Sequence, residues 1–266
     1  MNNSARGDTK PAPAADDWDQ HWTDFSASSG NSPTTKYRNR LCFRLLRIKG
    51  KGEGSKILEV GSGTGLFGRK LLDRYPRSEY LGLELSETGV AAGKKQAPRG
   101  TFLQRNLLEP VDPSAIFRFE ATHALCCEVL EHVDEPATLL RNAAAYMAPG
   151  CKIIVTVPGG WLHEFYRHIG HRRHYKPEEL RHLLENAGLR VDKVYGAGFP
   201  FFNIYQVLID LRGKRLVHDA AGGGSLMVRV GSVVFDALFR FNTMFWGWQT
   251  IGVACYEGPT GAENSR

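Results

Sequence analysis

The segment Lys56-Ile-Leu-Glu-Val-Gly-Ser-Gly-Thr-Gly-Leu-Phe-Gly68 constrains the fold more than any other. Ile57 to Val60 is a short apolar run that stops at glycines, the pattern of a buried strand entering a turn. Gly61, Gly63 and Gly65 let the backbone turn tightly and approach a ligand, which a Cβ would obstruct. From Leu66 a helical period resumes, with Phe67, Leu71 and Tyr75 on one face and Pro76 as its stop. Strand, glycine turn and helix N-terminus together make a nucleotide-type pocket at the carboxyl edge of a parallel sheet. Gly63-Thr-Gly-Leu-Phe-Gly68 also fits the GxGxxG turn of dinucleotide enzymes, so other segments must discriminate.

Strand and helix signals alternate from there on. Tyr80-Leu-Gly-Leu-Glu-Leu predicts a second strand ending at Glu84, an acid placed to accept two hydrogen bonds from a ribose diol. Ser86 to Lys95 predicts a helix, Thr101 to Gln104 a third strand and Ala121 to Cys127 a fourth. Asp134 is the expected N-cap of the next helix, with Pro136 near its first turn and Pro149-Gly150 as its stop. Lys152 to Pro158 reads as a strand buried on both faces. A His- and Arg-rich loop, Gly160 to Tyr175, precedes a helix opened by Pro177-Glu-Glu and closed by Gly188. Leu189 to Tyr195 and Trp248 to Tyr256 supply a sixth and a seventh strand. The alternation predicts a doubly wound, Rossmann-like α/β sheet.

Two helices are expected ahead of this core. Trp18, Trp22 and Phe25 share one helical face, Asn31-Ser-Pro breaks the pattern, and Tyr37, Leu41, Leu45 and Ile48 resume it. They are expected to cap the pocket from outside or to pack against the sheet edge. The predicted organisation is a disordered tail (1–17), capping helices (18–50), a core (51–198), a helical insertion (199–247) and a last strand with a tail (248–266). Met1 to Asp17 is polar, without the apolar core of a signal peptide. The five cysteines form no CxxC pair, which suits a reducing cytoplasm rather than a disulfide framework. A net charge of +6 permits an anionic partner, but no Lys/Arg run is long enough for a nucleic-acid arm.

These residues resemble the class I S-adenosylmethionine-dependent methyltransferases over roughly Lys56 to Gly198 plus the last strand. The matching signatures are Leu58-Glu-Val-Gly-Ser-Gly-Thr-Gly65, Gly82-Leu-Glu-Leu-Ser86, Asn106, Cys127-Glu-Val-Leu-Glu-His-Val133 and Ala148-Pro-Gly150 before a strand ending in Pro158. Gly170-His-Arg-Arg-His-Tyr-Lys-Pro-Glu-Glu-Leu180 followed by Ala187-Gly188 is typical of one large branch. Their order displaces the dehydrogenase reading, which has no account of Glu128 to His132. The resemblance implies a seven-stranded sheet with an antiparallel last strand. It also implies that backbone at Gly61, Ser62, Gly63 and Gly65 passes the methionine part of S-adenosylmethionine, with Glu59 below the turn. Glu84 would hold the ribose, Leu85 would lie against the adenine, Asn106 would reach its amino group, and Leu107 would be a further cofactor contact. Cys127 and Glu128 would line the floor near the sulfonium.

Glu128, Glu131 and His132 lie at i, i+3 and i+4, so a helix would present two carboxylates and an imidazole on one face. With His171 they would form a mixed O/N site suited to Mg²⁺, Mn²⁺ or Zn²⁺. The pattern is similar to that of the ubiquinone-pathway O-methyltransferases and the small-RNA 3′-end methyltransferases. In metal-free relatives the same residues shape the pocket, with His132 as a base or simply packed, and His163, His168 and His174 can equally be a solvated basic surface. His132, Glu128 and Glu131 are the expected catalytic residues.

Phe199 to Ile209 and Leu226 to Trp248 form an aromatic insertion, interrupted by Arg212-Gly-Lys-Arg215 and Gly222-Gly-Gly224. Neither apolar run reaches the ~20 residues of a spanning helix. The expected roles are a lid over an apolar acceptor, an interfacial helix pair on a membrane, or a homodimer interface. Tyr37, His171, His174 and Phe202 are the expected substrate contacts. The expectation is a cytoplasmic enzyme that O-methylates a small, hydrophobic, lipid-like acceptor, with peripheral membrane contact. RNA 2′-O-methylation, and a non-catalytic membrane-associated cofactor-binding module, are the alternatives.

Overall fold

The computed structural model describes residues 18–20, 22, 32–110, 118–163, 166–167, 169–212 and 226–259. The expected tail (1–17), Phe25, His168, and the Lys214-Arg215 and triple-glycine stretches lie outside the described residues.

Chain order is α1 (Pro33–Leu46), β1 (Lys56–Val60), α2 (Leu66–Arg74), β2 (Glu79–Glu84), α3 (Glu87–Gln96) and β3 (Thr101–Gln104). There follow β4 (Ala121–Cys127), a 3₁₀ turn (Leu130–His132), α4 (Pro136–Ala144), β5 (Met147–Pro158), α5 (Pro177–Asn186) and β6 (Arg190–Ala197). Helices α6 (Phe201–Arg212) and α7 (Leu226–Leu238), a 3₁₀ turn (Phe239–Phe241) and β7 (Gln249–Tyr256) complete it. The seven strands form one sheet in the order β3-β2-β1-β4-β5-β7-β6. β7 runs antiparallel between β5 and β6, and the other neighbouring pairs are parallel.

Side chains on each strand alternate between two cores, as the period of 2 requires. Leu58, Val60, Leu83, Cys126, Ile153 and Val155 pack with α4 and α5. Ile57, Tyr80, Leu125, Ile154 and Ile251 face the other way, onto α1 and α2 and the buried rings Phe202 and Phe239 of the insertion. Order reversal at β1/β4 leaves a crevice at the strands' carboxyl ends, where open α/β sheets bind ligands.

Three local expectations shift. Ser32-Pro33 opens α1, ahead of the expected start at Tyr37: the Ser32 hydroxyl accepts from the Thr35 N–H at 3.1 Å, and Pro33 sits where no intrahelical N–H is needed. Pro149-Gly150 lies inside β5, which starts at Met147; the register slips between Ala121 and His123, and α4 has already ended at Ala144. Asp134 does not cap α4, whose N-cap is Glu135 without a side-chain bond, because its carboxylate is paired with Arg172.

Candidate active site

A cavity of about 510 Å³ opens over the carboxyl ends of β1, β2 and β4, a size suited to a small-molecule ligand. Its lining includes every expected cofactor residue except Gly65. That glycine makes the turn from behind: its φ is +73°, and a Cβ there would lie 2.7 Å from the Gly93 Cα. Gly61, at φ +70°, has the same need, since a Cβ would come within 2.4 Å of Val129. The turn is anchored across the sheet by the Gly61 and Ser62 N–H groups, both donating to the Leu83 carbonyl.

Glu84 ends β2 beneath this turn. Its carboxylate accepts from the Gly63 N–H at 2.7 Å and the Ser86 N–H at 3.1 Å, which aims it and leaves acceptor capacity on both oxygens. Burial pushes its pKa up and these bonds oppose the rise. Ser62 is buried, and its hydroxyl has no partner among the described residues, so the lining holds a polar atom for a ligand to satisfy. Glu59 lies deeper, accepts from the Tyr80 hydroxyl, and is held up to about 8 chiefly by burial. Leu85 is exposed on the wall opposite buried Leu107. Asn106 lines the same end, but its amide is used locally: Oδ1 accepts from Leu108 N and Nδ2 donates to Glu109. Cys127 is a neutral part of the floor, its pKa raised by the 3.7 Å contact with Cys42 and by burial.

The expected face of Glu128, Glu131 and His132 does not form. Glu128 has φ +55°, so the chain leaves β4 by a left-handed residue and enters a 3₁₀ turn, not an α-helix. The two carboxylates consequently diverge. Glu128 lines the cavity and braces it, accepting from Thr156 Oγ1 at 3.2 Å and Gln249 Nε2 at 2.9 Å, with Arg38 of α1 at 3.6 Å. Glu131 is fully buried, and neither carboxylate oxygen has a side-chain or backbone partner from another described residue. Its pKa lies well above the ordinary value because of burial and the nearby Glu128 charge.

Glu131, His132 and His171 do converge: one ligand atom from each lies within 4.8 Å of the others, and Glu128 is not among them. His132 Nδ1 is 3.1 Å from the Gly170 carbonyl, which favours a proton there and leaves Nε2 as the basic nitrogen. Burial, with His132 and His174 nearby, depresses His171 to about 2, so it is a neutral imidazole. His171 and His174 contact each other at 3.1 Å behind the cavity wall.

Tyr37 and Phe202, expected at the substrate, are not in the cavity lining. Both are buried, their rings 5.5 Å apart and packed on Phe239, because α1 turns this face to the insertion. No described residue of 199–247 lines the cavity. The roof comes instead from the N-terminal segment. Asp19 accepts from Ser86 Oγ at 2.6 Å and Thr88 N at 2.9 Å, Trp22 lies over Gly63, and Trp18 meets the His132 ring edge-on at 4.9 Å. The i, i+4 spacing of the tryptophans signalled that face. Arg38, Lys70 and Arg172 also line the cavity; Arg172 lies in the Gly170 to Leu180 signature, but none of the three was expected at the site.

A family model described as a methyltransferase domain matches residues 34–194. The ubiquinone biosynthesis O-methyltransferase of Acinetobacter baumannii (strain AYE) is 23% identical over 235 residues, covering 79% of this chain and 92% of that protein. Among solved structures, the fold is similar to a complex between the Haloferax volcanii Trm112 methyltransferase activator and a methyltransferase, with a TM-score of 0.61, 16% identity and coverage of 92% and 100%. It is also similar to geranyl diphosphate C-methyltransferase from Streptomyces coelicolor A3(2) with Mg²⁺, geranyl diphosphate and S-adenosyl-L-homocysteine, with a TM-score of 0.52, 13% identity and coverage of 82% and 78%. The family match spans more than half of the chain and contains the glycine turn, Glu84 and the β4 turn. The chain therefore belongs to the methyltransferase domain family, as a class I S-adenosylmethionine-dependent methyltransferase.

Proposed function

We propose that the chain methylates a hydroxyl group on a small, apolar acceptor, and that Glu131, His132 and His171 hold a divalent cation beside that hydroxyl. The observation that carries this reading is the buried Glu131 carboxylate, without a partner among the described residues, beside two imidazoles. An isolated buried carboxylate is costly, and a cation would convert that cost into binding. Two nitrogens and a carboxylate oxygen suit Zn²⁺ or Mn²⁺ better than an all-oxygen Mg²⁺ cage. A bound cation would lower the pKa of a nearby hydroxyl.

The remaining work falls to this chain's own side chains. Glu84 and the Gly61–Gly65 backbone orient the methyl donor, so that alignment supplies much of the rate. Trp18 and Trp22 exclude water above it. The Nδ1 contact with the Gly170 carbonyl fixes the His132 ring and leaves Nε2 for the cation, and the proton of the acidified hydroxyl would leave to water. The likeness to O-methyltransferases supports oxygen as the target.

The test uses S-adenosylmethionine labelled with ¹³C in the methyl group, a panel of apolar phenols and alcohols, and Mg²⁺, Mn²⁺ or Zn²⁺ against EDTA. A methyl ether signal that needs the metal and is lost in Glu131→Gln is expected. Methyl transfer to nitrogen or carbon, or transfer indifferent to EDTA and to Glu131→Gln, overturns the reading.

A further inference from the structure

We infer that the outward face of α6, α7 and the segment after them docks on an anionic lipid bilayer. Ten of the thirteen exposed large apolar side chains of the described residues lie between 204 and 246, so the exposure is concentrated rather than scattered. On α6, Ile204, Val207, Leu208 and Leu211 recur at i, i+3, i+4 and i+7 and are all exposed, Leu211 by 78%. On α7 the exposed residues are Val230, Val233 and Val234. Phe241, Phe245 and Trp246 continue the surface, Phe245 being 84% exposed.

This face is not required to hold the helices in place. Their inner sides are rooted by Phe202 and Phe239, both buried, and by the Tyr205–Phe235 ring contact at 4.9 Å. Nor is it required by the cavity, which none of these residues lines. Helix α1 separates the two: Thr35, Arg38 and Asn39 face the cavity, while Tyr37 and Arg40 contact the insertion.

Charge selects the occupant. The described parts of the insertion contain two acids, and both are paired with the body of the protein: Asp210 with His163 at 2.9 Å and Asp236 with Arg40 at 2.7 Å. Exposed cations lie beside the apolar face, and the exposed Asp192 next to Lys193 is paired with Arg190. Arg240 follows α7, Arg44 lies against Met244 at 3.0 Å, and Lys193 covers the Tyr195 ring that meets Phe245. A second copy would bring like charges together, on a chain already at +6, whereas anionic headgroups complement this rim. No helix among the described residues is long and apolar enough to cross a membrane, so the pair would lie in the interface plane, with Trp246 and the phenylalanines at headgroup depth.

The inference does not depend on the acceptor chemistry proposed above, because vesicle binding is read without turnover. The experiment is flotation of the full-length protein with phosphatidylglycerol/phosphatidylcholine vesicles and with pure phosphatidylcholine vesicles, at about 0.1 M salt. The variants are Leu211→Glu/Val233→Glu and Lys193→Glu/Arg240→Glu, all at exposed positions. Binding to the anionic vesicles, at least tenfold reduced in each variant with Tm and S-adenosylhomocysteine affinity unchanged, is expected. Absence of binding, equal binding to neutral vesicles, or binding unmoved by the variants overturns it. A concentration-dependent dimer that Leu211→Glu/Val233→Glu dissolves, without vesicle binding, overturns it in favour of a second copy.

Discussion

The two sides of the cavity are built by different means. On the side proposed for the methyl donor, backbone at Gly61 and Gly63 and one carboxylate, Glu84, come from two adjacent strands and their turns. On the side proposed for the acceptor, Glu131 and His132 come from a 3₁₀ turn, His171 from a loop some forty residues later, and Glu128 is tied to β5, β7 and α1. The donor side is therefore a local device of the chain. The acceptor side exists only once distant segments have packed.

That contrast can be broken most severely at His132. If the acceptor side promotes loss of the hydroxyl proton, His132→Ala lowers kcat by about 10²- to 10⁴-fold while S-adenosylhomocysteine affinity stays within about threefold. A parallel loss of cofactor affinity would show that the two sides are not separable. Phe202→Ala tests whether the ring is core rather than substrate contact: a loss of about 3–5 kcal/mol in stability is expected from denaturant melts, with KM unchanged in the protein that remains folded. A KM effect without a stability effect would restore it to the acceptor. Gly61→Ala should cost about 1–3 kcal/mol, because the positive φ and Val129 both oppose a Cβ; an unchanged Tm would contradict the account of the turn.

A separate expected effect is on pH dependence. Glu59 is held up to about 8 when folded, from an ordinary 4.5, mainly by burial. Between those values the folded state binds one more proton than the unfolded chain, so this group's contribution to stability is full below 4.5 and is lost as pH rises through 8. Glu59→Gln should flatten the decline of Tm with pH over that window by a few degrees. An unaltered Tm–pH profile would show that Glu59 ionises normally.

The same contrast explains what the sequence could reveal. Glu59, Gly61, Gly63 and Glu84 were legible as residues of the cavity lining because a glycine turn and a strand tip need fixed spacings on one βα unit and the next strand. The sheet was legible because strands and helices alternate and β5 is apolar on both faces. The Glu128–Glu131–His132 face was misread because one positive φ, at Glu128, converts a helical spacing into a divergent one, and residue type does not announce it. Tyr37 and Phe202 carry aromatic character that suits a substrate wall or a core equally, and only the orientation of α1 decides. Asn31-Ser-Pro was ambiguous in the same way, since proline both ends a helix and opens one.

The central claim is that the glycine turn and Glu84 bind S-adenosylmethionine. Calorimetric titration of S-adenosylhomocysteine into the wild-type protein and into Glu84→Ala tests it most directly. Micromolar affinity that falls at least about thirtyfold in the variant, the loss expected on removing two charge-assisted hydrogen bonds to a diol, is the result this account predicts. No heat of binding in the folded wild-type protein, or equal affinity in the variant, would contradict it.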